Sequence, residues 1–144
     1  MSAISLMPSI GISATGLDAE NKRMEVLANN VANAQTTRDV NGNVFRRQEV
    51  VFAERLGDAF QAADGNQQLQ GVQVTQVAQD QRPLNRAYRP GHPDADEQGY
   101  VLLPNVNIME EMVDMMSASR AFEANLAAIR TAKSMAQQAL EILK

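Results

Sequence analysis

From Asn105 to Lys144 the chain reads NVNIMEEMVDMMSASRAFEANLAAIRTAKSMAQQALEILK, without a glycine or a proline. Ala, Met, Leu, Glu, Gln, Lys and Arg dominate it, and all are good helix formers. Steps of four and three land on Ile108, Met112, Met115, Ser119, Phe122, Leu126, Ile129, Lys133, Ala136, Leu140 and Leu143. Nine of these eleven are apolar, a 3.5-residue repeat that reads as the seam of a coiled coil. The start is also marked. Pro104 disfavours helix at the residue before it, and Asn107 with Glu110 has the pattern of an N-cap and capping box. Glu110, Glu111 and Asp114 lie early and Arg130, Lys133 and Lys144 late, which complements the helix dipole. About 37 residues at 1.5 Å each make a rod of roughly 55 Å. A compact chain of this length is only about 37 Å across. An elongated molecule is expected, with an apolar seam that needs a partner.

Residues 9–34 read as a second helix. Ile10, Leu17, Met24 and Val31 recur every seven residues, with Ala14, Asn21 and Ala28 between them. Gly11 and Gly16 weaken its start, and Ala34-Gln35-Thr36-Thr37 reads as its exit. Asn29, Asn30 and Asn33 are unusual there, because Asn competes for backbone hydrogen bonds. Two readings stand: a helix C-terminus where Asn tolerates the left-handed cap, or buried amides that fix register and partner at a helix interface.

Between the helices the sequence changes in kind. Asn41-Gly42 is a strong hairpin signal, flanked by β-like Val44, Phe45, Val50, Val51 and Phe52. Residues 57–70 read as a polar loop, with Leu56 and Phe60 as its apolar anchors. Residues 71–77 alternate as a strand, 80–99 read as irregular, and 100–103 as a short last strand. The expected fold is mainly α with a small β insert of three to four strands. The expected units are 1–36 for the N-terminal helix, 37–104 for the insert and 105–144 for the C-terminal helix. The two helices are expected to pair as an antiparallel-type coiled coil.

Chemistry is excluded on several grounds. There is no cysteine, which removes disulfides, thiolate catalysis and cysteine metal sites. His92 is the only histidine, so no triad or metal cluster forms around it, and turn packing is its reading. Asp94, Asp96, Glu97 and Gly99 suggest a calcium loop, but the twelfth position is Asn105 where a bidentate Glu is required. Arg82, Arg86 and Arg89 form a loose basic cluster, read as solvated charge or as pairing with a neighbouring subunit. No phosphate loop or nucleophile elbow is present. A net charge of −4 argues against nucleic acid as partner. No run is long enough to span a membrane, and the uncharged residues 1–17 lack the pattern of a secretory signal. No catalytic, metal or cofactor site and no small-molecule substrate are expected; the chain reads as a non-enzyme. Five of eight methionines lie in the last helix (Met109, Met112, Met115, Met116 and Met135), which suits adaptable packing, within one core or between subunits.

Ala28-Asn29-Asn30-Val31-Ala32-Asn33, followed by Thr36, resembles the N-terminal signature of the bacterial flagellar axial proteins, the rod, hook and hook-associated family. Arg120-Ala121-Phe122-Glu123-Ala124-Asn125 resembles their C-terminal signature. Gly91-His92-Pro93-Asp94-Ala95-Asp96, Gly99-Tyr100-Val101, Pro104-Asn105-Val106-Asn107, Phe45-Arg46-Arg47-Gln48 and Val50-Val51-Phe52 are similar to the short rod members. Many axial proteins continue the Asn signature with Thr-Pro-Gly-Tyr. Here Thr36 leads to Thr37-Arg38-Asp39, as in the rod class. The resemblance implies terminal helices that line the inner tube of a helical assembly. It implies export without a cleaved signal, through the flagellar type III apparatus to the periplasmic side of the basal body. It also implies partners among other copies of the chain, other rod proteins and the membrane ring and export gate. The residues expected to carry assembly are Leu17, Met24, Leu27, Asn29, Asn30, Val31 and Asn33, with Ile108, Met112, Met115, Arg120, Phe122, Asn125, Leu126, Ile129 and Leu140. Rival readings are a sister short rod subunit and a cytoplasmic coiled-coil adaptor or export chaperone.

Overall fold

Asn107 caps the long C-terminal helix: its Oδ1 accepts the N–H of Met109 at 3.1 Å, and its carbonyl accepts that of Glu111 at 3.0 Å. Glu110, the expected capping-box residue, is exposed, and it is Glu111 beside it that turns inward. The computed structural model describes residues 6–38, 42–56 and 69–142. In order the elements are α1 (Leu6–Asn33), β1 (Gln48–Leu56), β2 (Leu69–Gln79), β3 (Asn85–Tyr88), β4 (Tyr100–Leu103) and α2 (Ile108–Ile142). At 1.5 Å per residue α2 is about 52 Å long.

The two helices pack against each other. Gly16 lies against Asn125, Arg23 faces Asp114 at 3.8 Å, and Asn30 bonds Glu111. As α1 ascends, its partners descend, so the pair is antiparallel. On α2 the inward stripe is Glu111, Met115, Ala118, Phe122, Asn125, Ile129, Ala132 and Ala136, all buried or half-buried. It has the expected 3.5-residue spacing, but half of its positions are turned by one residue. Met115, Phe122, Ile129 and Ala136 stand where expected. Met112 is 50% exposed and Lys133 is exposed, and the inward residues beside them are Glu111 and Ala132. Ile108 and Leu140 also face outward, and Leu143 lies outside the described residues. The same holds on α1. Leu17, Met24 and Val31 are half-buried as expected, but Ala14, Asn21 and Ala28 are exposed while Ser13, Glu20, Leu27 and Ala34 turn inward. Where two helix axes approach closely the contact positions hold small side chains, so Ala118 and Ala132 alternate with Met115, Phe122 and Ile129 along the seam.

The insert forms two separate two-stranded antiparallel sheets, β1 with β2 and β3 with β4. In the first, Val50, Phe52, Val72, Val74 and Val77 share one face, because a bulge between Val51 and Phe52 shifts the register. Phe52 and Val50 line one cleft with Val26 and Leu27 of α1. At Gly71 the strand passes so near α1 that an added Cβ would collide with the Thr15 hydroxyl. Its φ of +106° also favours glycine. The Thr15 hydroxyl accepts the N–H of Val72 at 3.2 Å.

Two strand expectations are corrected. Strand β3 falls within residues 80–99, which read as irregular, and Val44 and Phe45 precede β1 rather than forming a strand. Asn41 lies outside the described residues, as does most of the 57–70 loop including Phe60; Gly42 has φ +79°. The partner of β1 is β2, and no strand is described before Gly42.

Among the described residues the buried apolar side chains are Ala19, Val26, Leu27, Ala34, Val101, Val106, Ala118 and Ala132. Half are alanine, so little apolar area holds the centre together. The largest fully buried side chains include Glu111 and Asn30.

Candidate functional site

Asn30 stands on the last full turn of α1, where the helix passes the start of β1. Its amide completes the free edge of that strand. Nδ2 donates to the Gln48 carbonyl at 2.8 Å, and Oδ1 accepts the Gln48 N–H at 2.9 Å. Nδ2 also donates to Oε2 of Glu111 at 2.8 Å. Glu111 is wholly buried, and Nε of Arg47 donates to its other oxygen. The Arg47 guanidinium reaches toward Asp114 at 3.8 Å, Glu49 at 3.7 Å and Asp80 at 3.9 Å. Burial works against its charge, but the bond to Glu111 and the charges of Glu111, Glu49 and Asp80 outweigh that and hold it above the ordinary arginine range.

The backbone of the same residue is held as well. The Arg47 N–H donates to Oδ1 of Asn105 at 2.9 Å, and the Arg47 carbonyl accepts the N–H of Asp80 at 2.8 Å. Asn105 in turn donates to the carbonyls of Asp80 and Arg82 at 3.3 Å each. Five segments therefore meet at one point: the end of α1, the start of β1, the end of β2, the lead into α2 and its first turn. A buried carboxylate is tolerated only with this kind of pairing and hydrogen bonding. Among the described residues the junction has no nucleophile, and its charged groups are spent on one another. Its chemistry is cohesion.

A second node lies in the loop between β3 and β4. Oδ1 of Asp96 accepts the N–H of Tyr100 at 2.8 Å and of Gln98 at 3.0 Å, and Oδ2 accepts Arg86 at 3.1 Å. The Tyr100 N–H is the chief cause that holds the Asp96 carboxyl below the ordinary range; partial desolvation opposes it, and the Gln98 N–H and Arg86 add to it. Arg86 lies 4.9 Å over the Tyr100 ring, which meets Tyr88 edge-on at 5.3 Å. Asp94 accepts Thr37 at 2.7 Å and pairs with Arg38 at 2.9 Å, which ties this loop to the exit of α1. Asp94 and Asp96, the aspartates that suggested a calcium loop, are spent on these bonds.

The assembly residues expected from sequence divide by exposure. Leu27 and Asn30 are buried. Leu17, Met24, Val31, Asn33, Met115, Phe122, Asn125, Leu126 and Ile129 are half-buried, while Asn29, Ile108, Met112, Arg120 and Leu140 are exposed. The three asparagines have different roles. Asn30 is the buried amide. Asn33 donates to the Asn29 carbonyl at 2.9 Å and accepts the Thr36 hydroxyl at 3.3 Å, so these residues finish the helix. None of the described residues there takes the left-handed cap. Sequence reasoning does not bring Arg47, Glu111, Asn105 and Asp80 together as a site. One signal for them is available: a four-three line on α2 runs Glu111, Met115, Ala118, Phe122, and Glu111 is the one charge among these four.

Two family profiles match the chain. One, described as the flagellar basal body rod FlgEFG protein C-terminal region, covers residues 97–142, and one described as flagella basal body rod protein covers 10–38. A protein of Borreliella burgdorferi named flagellar basal-body rod protein FlgC is 44% identical over 96% of this chain and 98% of its own length. Proteins of that name from Bacillus subtilis and Salmonella typhimurium are each 39% identical, over 94% and 96% of this chain and 97% and 98% of theirs.

Proposed function

This chain belongs to the flagellar basal-body rod protein FlgC family, a structural subunit of the rod and not an enzyme, and we propose that it builds the proximal rod by burying the outer face of α2 against neighbouring subunits. The observation that carries this reading is a row of apolar side chains with no cover in the single chain. Met109, Met112, Val113 and Met116 are 70, 50, 58 and 56% exposed and share one face of α2. A contiguous apolar patch of this kind marks an interaction surface. The inward stripe joins the two helices of one subunit as a coiled-coil pair, and the outward row joins subunits into a helical tube. That tube serves as part of the drive shaft and of the export channel. Copies of the chain, other rod proteins and the ring and export gate are the partners. Export without a cleaved signal to the periplasmic side is part of the same reading; no described helix is long and apolar enough to cross a membrane.

Met112→Asp tests it. Cells carrying the variant are expected to make the protein at normal level, to lose motility, and to lack the chain in detergent-extracted basal bodies. Normal motility with normal incorporation would overturn the assembly face.

A further inference from the structure

The α1–α2 interface is permissive about register. From 16 to 30 on α1 and from 125 down to 111 on α2, several inward residues are small or unbranched: Gly16 and Ala19 on one side, Ala118 and Met115 on the other, with Val26, Leu27 and Phe122 the bulkier ones. A slide by one heptad would set Ala118 against Gly16, which accepts a small side chain. It would also set Glu111 against Arg23, an attractive pairing of opposite charges. Helix packing alone therefore does not exclude the slipped pair.

We infer that the Asn30–Arg47–Glu111 junction is a register lock, in which the insert selects the heptad of α2 that α1 receives. Asn30 is committed to Gln48 by two bonds, so α1 and the start of β1 form one unit. That unit presents three contacts to α2 and its lead: the Asn30 amide and the Arg47 guanidinium to Glu111, and the Arg47 N–H to Asn105. A slide of one heptad, about 10 Å, breaks all three. Glu111 is fully buried, so docking of α2 in the native register without Arg47 would leave its charge with no cation and only the Asn30 amide bonded to it. Pairing of the terminal helices is thereby conditional on the insert. This inference concerns the single chain and does not depend on the rod role.

The absence of native cysteine makes a direct test simple. Two reporters are built in the full chain: Gly16→Cys with Asn125→Cys for the native register, and Gly16→Cys with Ala118→Cys for the slipped one. Each is equilibrated in a glutathione buffer at low protein concentration, and the intramolecular disulfide is quantified by non-reducing peptide mapping. The parent chain is expected to close only the 16–125 pair. With Arg47→Met the 16–118 disulfide is expected to rise to a yield comparable with 16–125. A 16–118 yield that stays at background in a folded Arg47→Met chain overturns the lock. Where Arg47→Met does not fold, Arg47→Met with Glu111→Gln, which removes the buried carboxylate from the junction, replaces it. That chain is expected to regain helical circular dichroism and to close both disulfides. Exclusive 16–125 closure, or failure of this variant to fold, makes the junction a folding requirement and overturns its role in register.

Discussion

Asp96 shows how much order one exposed carboxylate imposes. It receives two backbone N–H groups and one guanidinium, and its carboxyl is held below the ordinary value of 3.8, foremost by the Tyr100 N–H. Asp80 is lowered as well, foremost by the Arg82 N–H, with desolvation opposing and the Arg82 side chain and Arg47 assisting. A carboxylate lowered in the folded state binds fewer protons there than in the unfolded chain. Its stabilisation is therefore complete above the unfolded value and fades as pH falls through the folded one. The melting temperature should fall as pH drops below about 4. Asp96→Asn should melt lower at neutral pH and show a flatter decline in that acid window, measured by circular dichroism melts across pH. The sequence excludes a calcium loop at Asp94 and Asp96 but does not show how they are used, because hydrogen bonds to backbone N–H groups have no residue signature.

At the scale of elements, helix existence, type and rough extent are legible, since a run without glycine or proline and with caps has few other outcomes. Which face turns inward is legible only by half. Met115, Phe122 and Ile129 fall on the apolar repeat and on the observed stripe alike. At the intervening positions the repeat runs through Met112, Ser119, Leu126 and Lys133, of which Met112 and Lys133 are exposed and Ser119 and Leu126 half-buried. The inward side chains there are Glu111, Ala118, Asn125 and Ala132, two of them small enough to let the helix axes approach. This difference is measurable. Ala118 is wholly buried, so Ala118→Leu should cost about 1–3 kcal/mol by overpacking. Met112→Asp, at an exposed position, should stay within about 0.5 kcal/mol of the parent. Urea unfolding of the purified chain separates the two.

For the whole molecule, elongation follows from α2. A compact chain of this length has a radius of gyration of about 15 Å, and small-angle scattering of the monomer should give a value clearly above it. A value at or below that figure would mean that α2 folds back. The family is legible from its two terminal signatures. The junction is not, because it is assembled from residues as far apart as Asn30 and Glu111, and nothing local couples such positions.

The same junction bears on stiffness. Apolar contacts between two helices oppose their separation and hold register only through the fit of side chains. Hydrogen bonds and ion pairs at Arg47 are directional and lose energy on a shift of about 1 Å. Resistance to sliding of the two helices is then greatest at the base of α2, where Arg47 and Asn30 together hold Glu111.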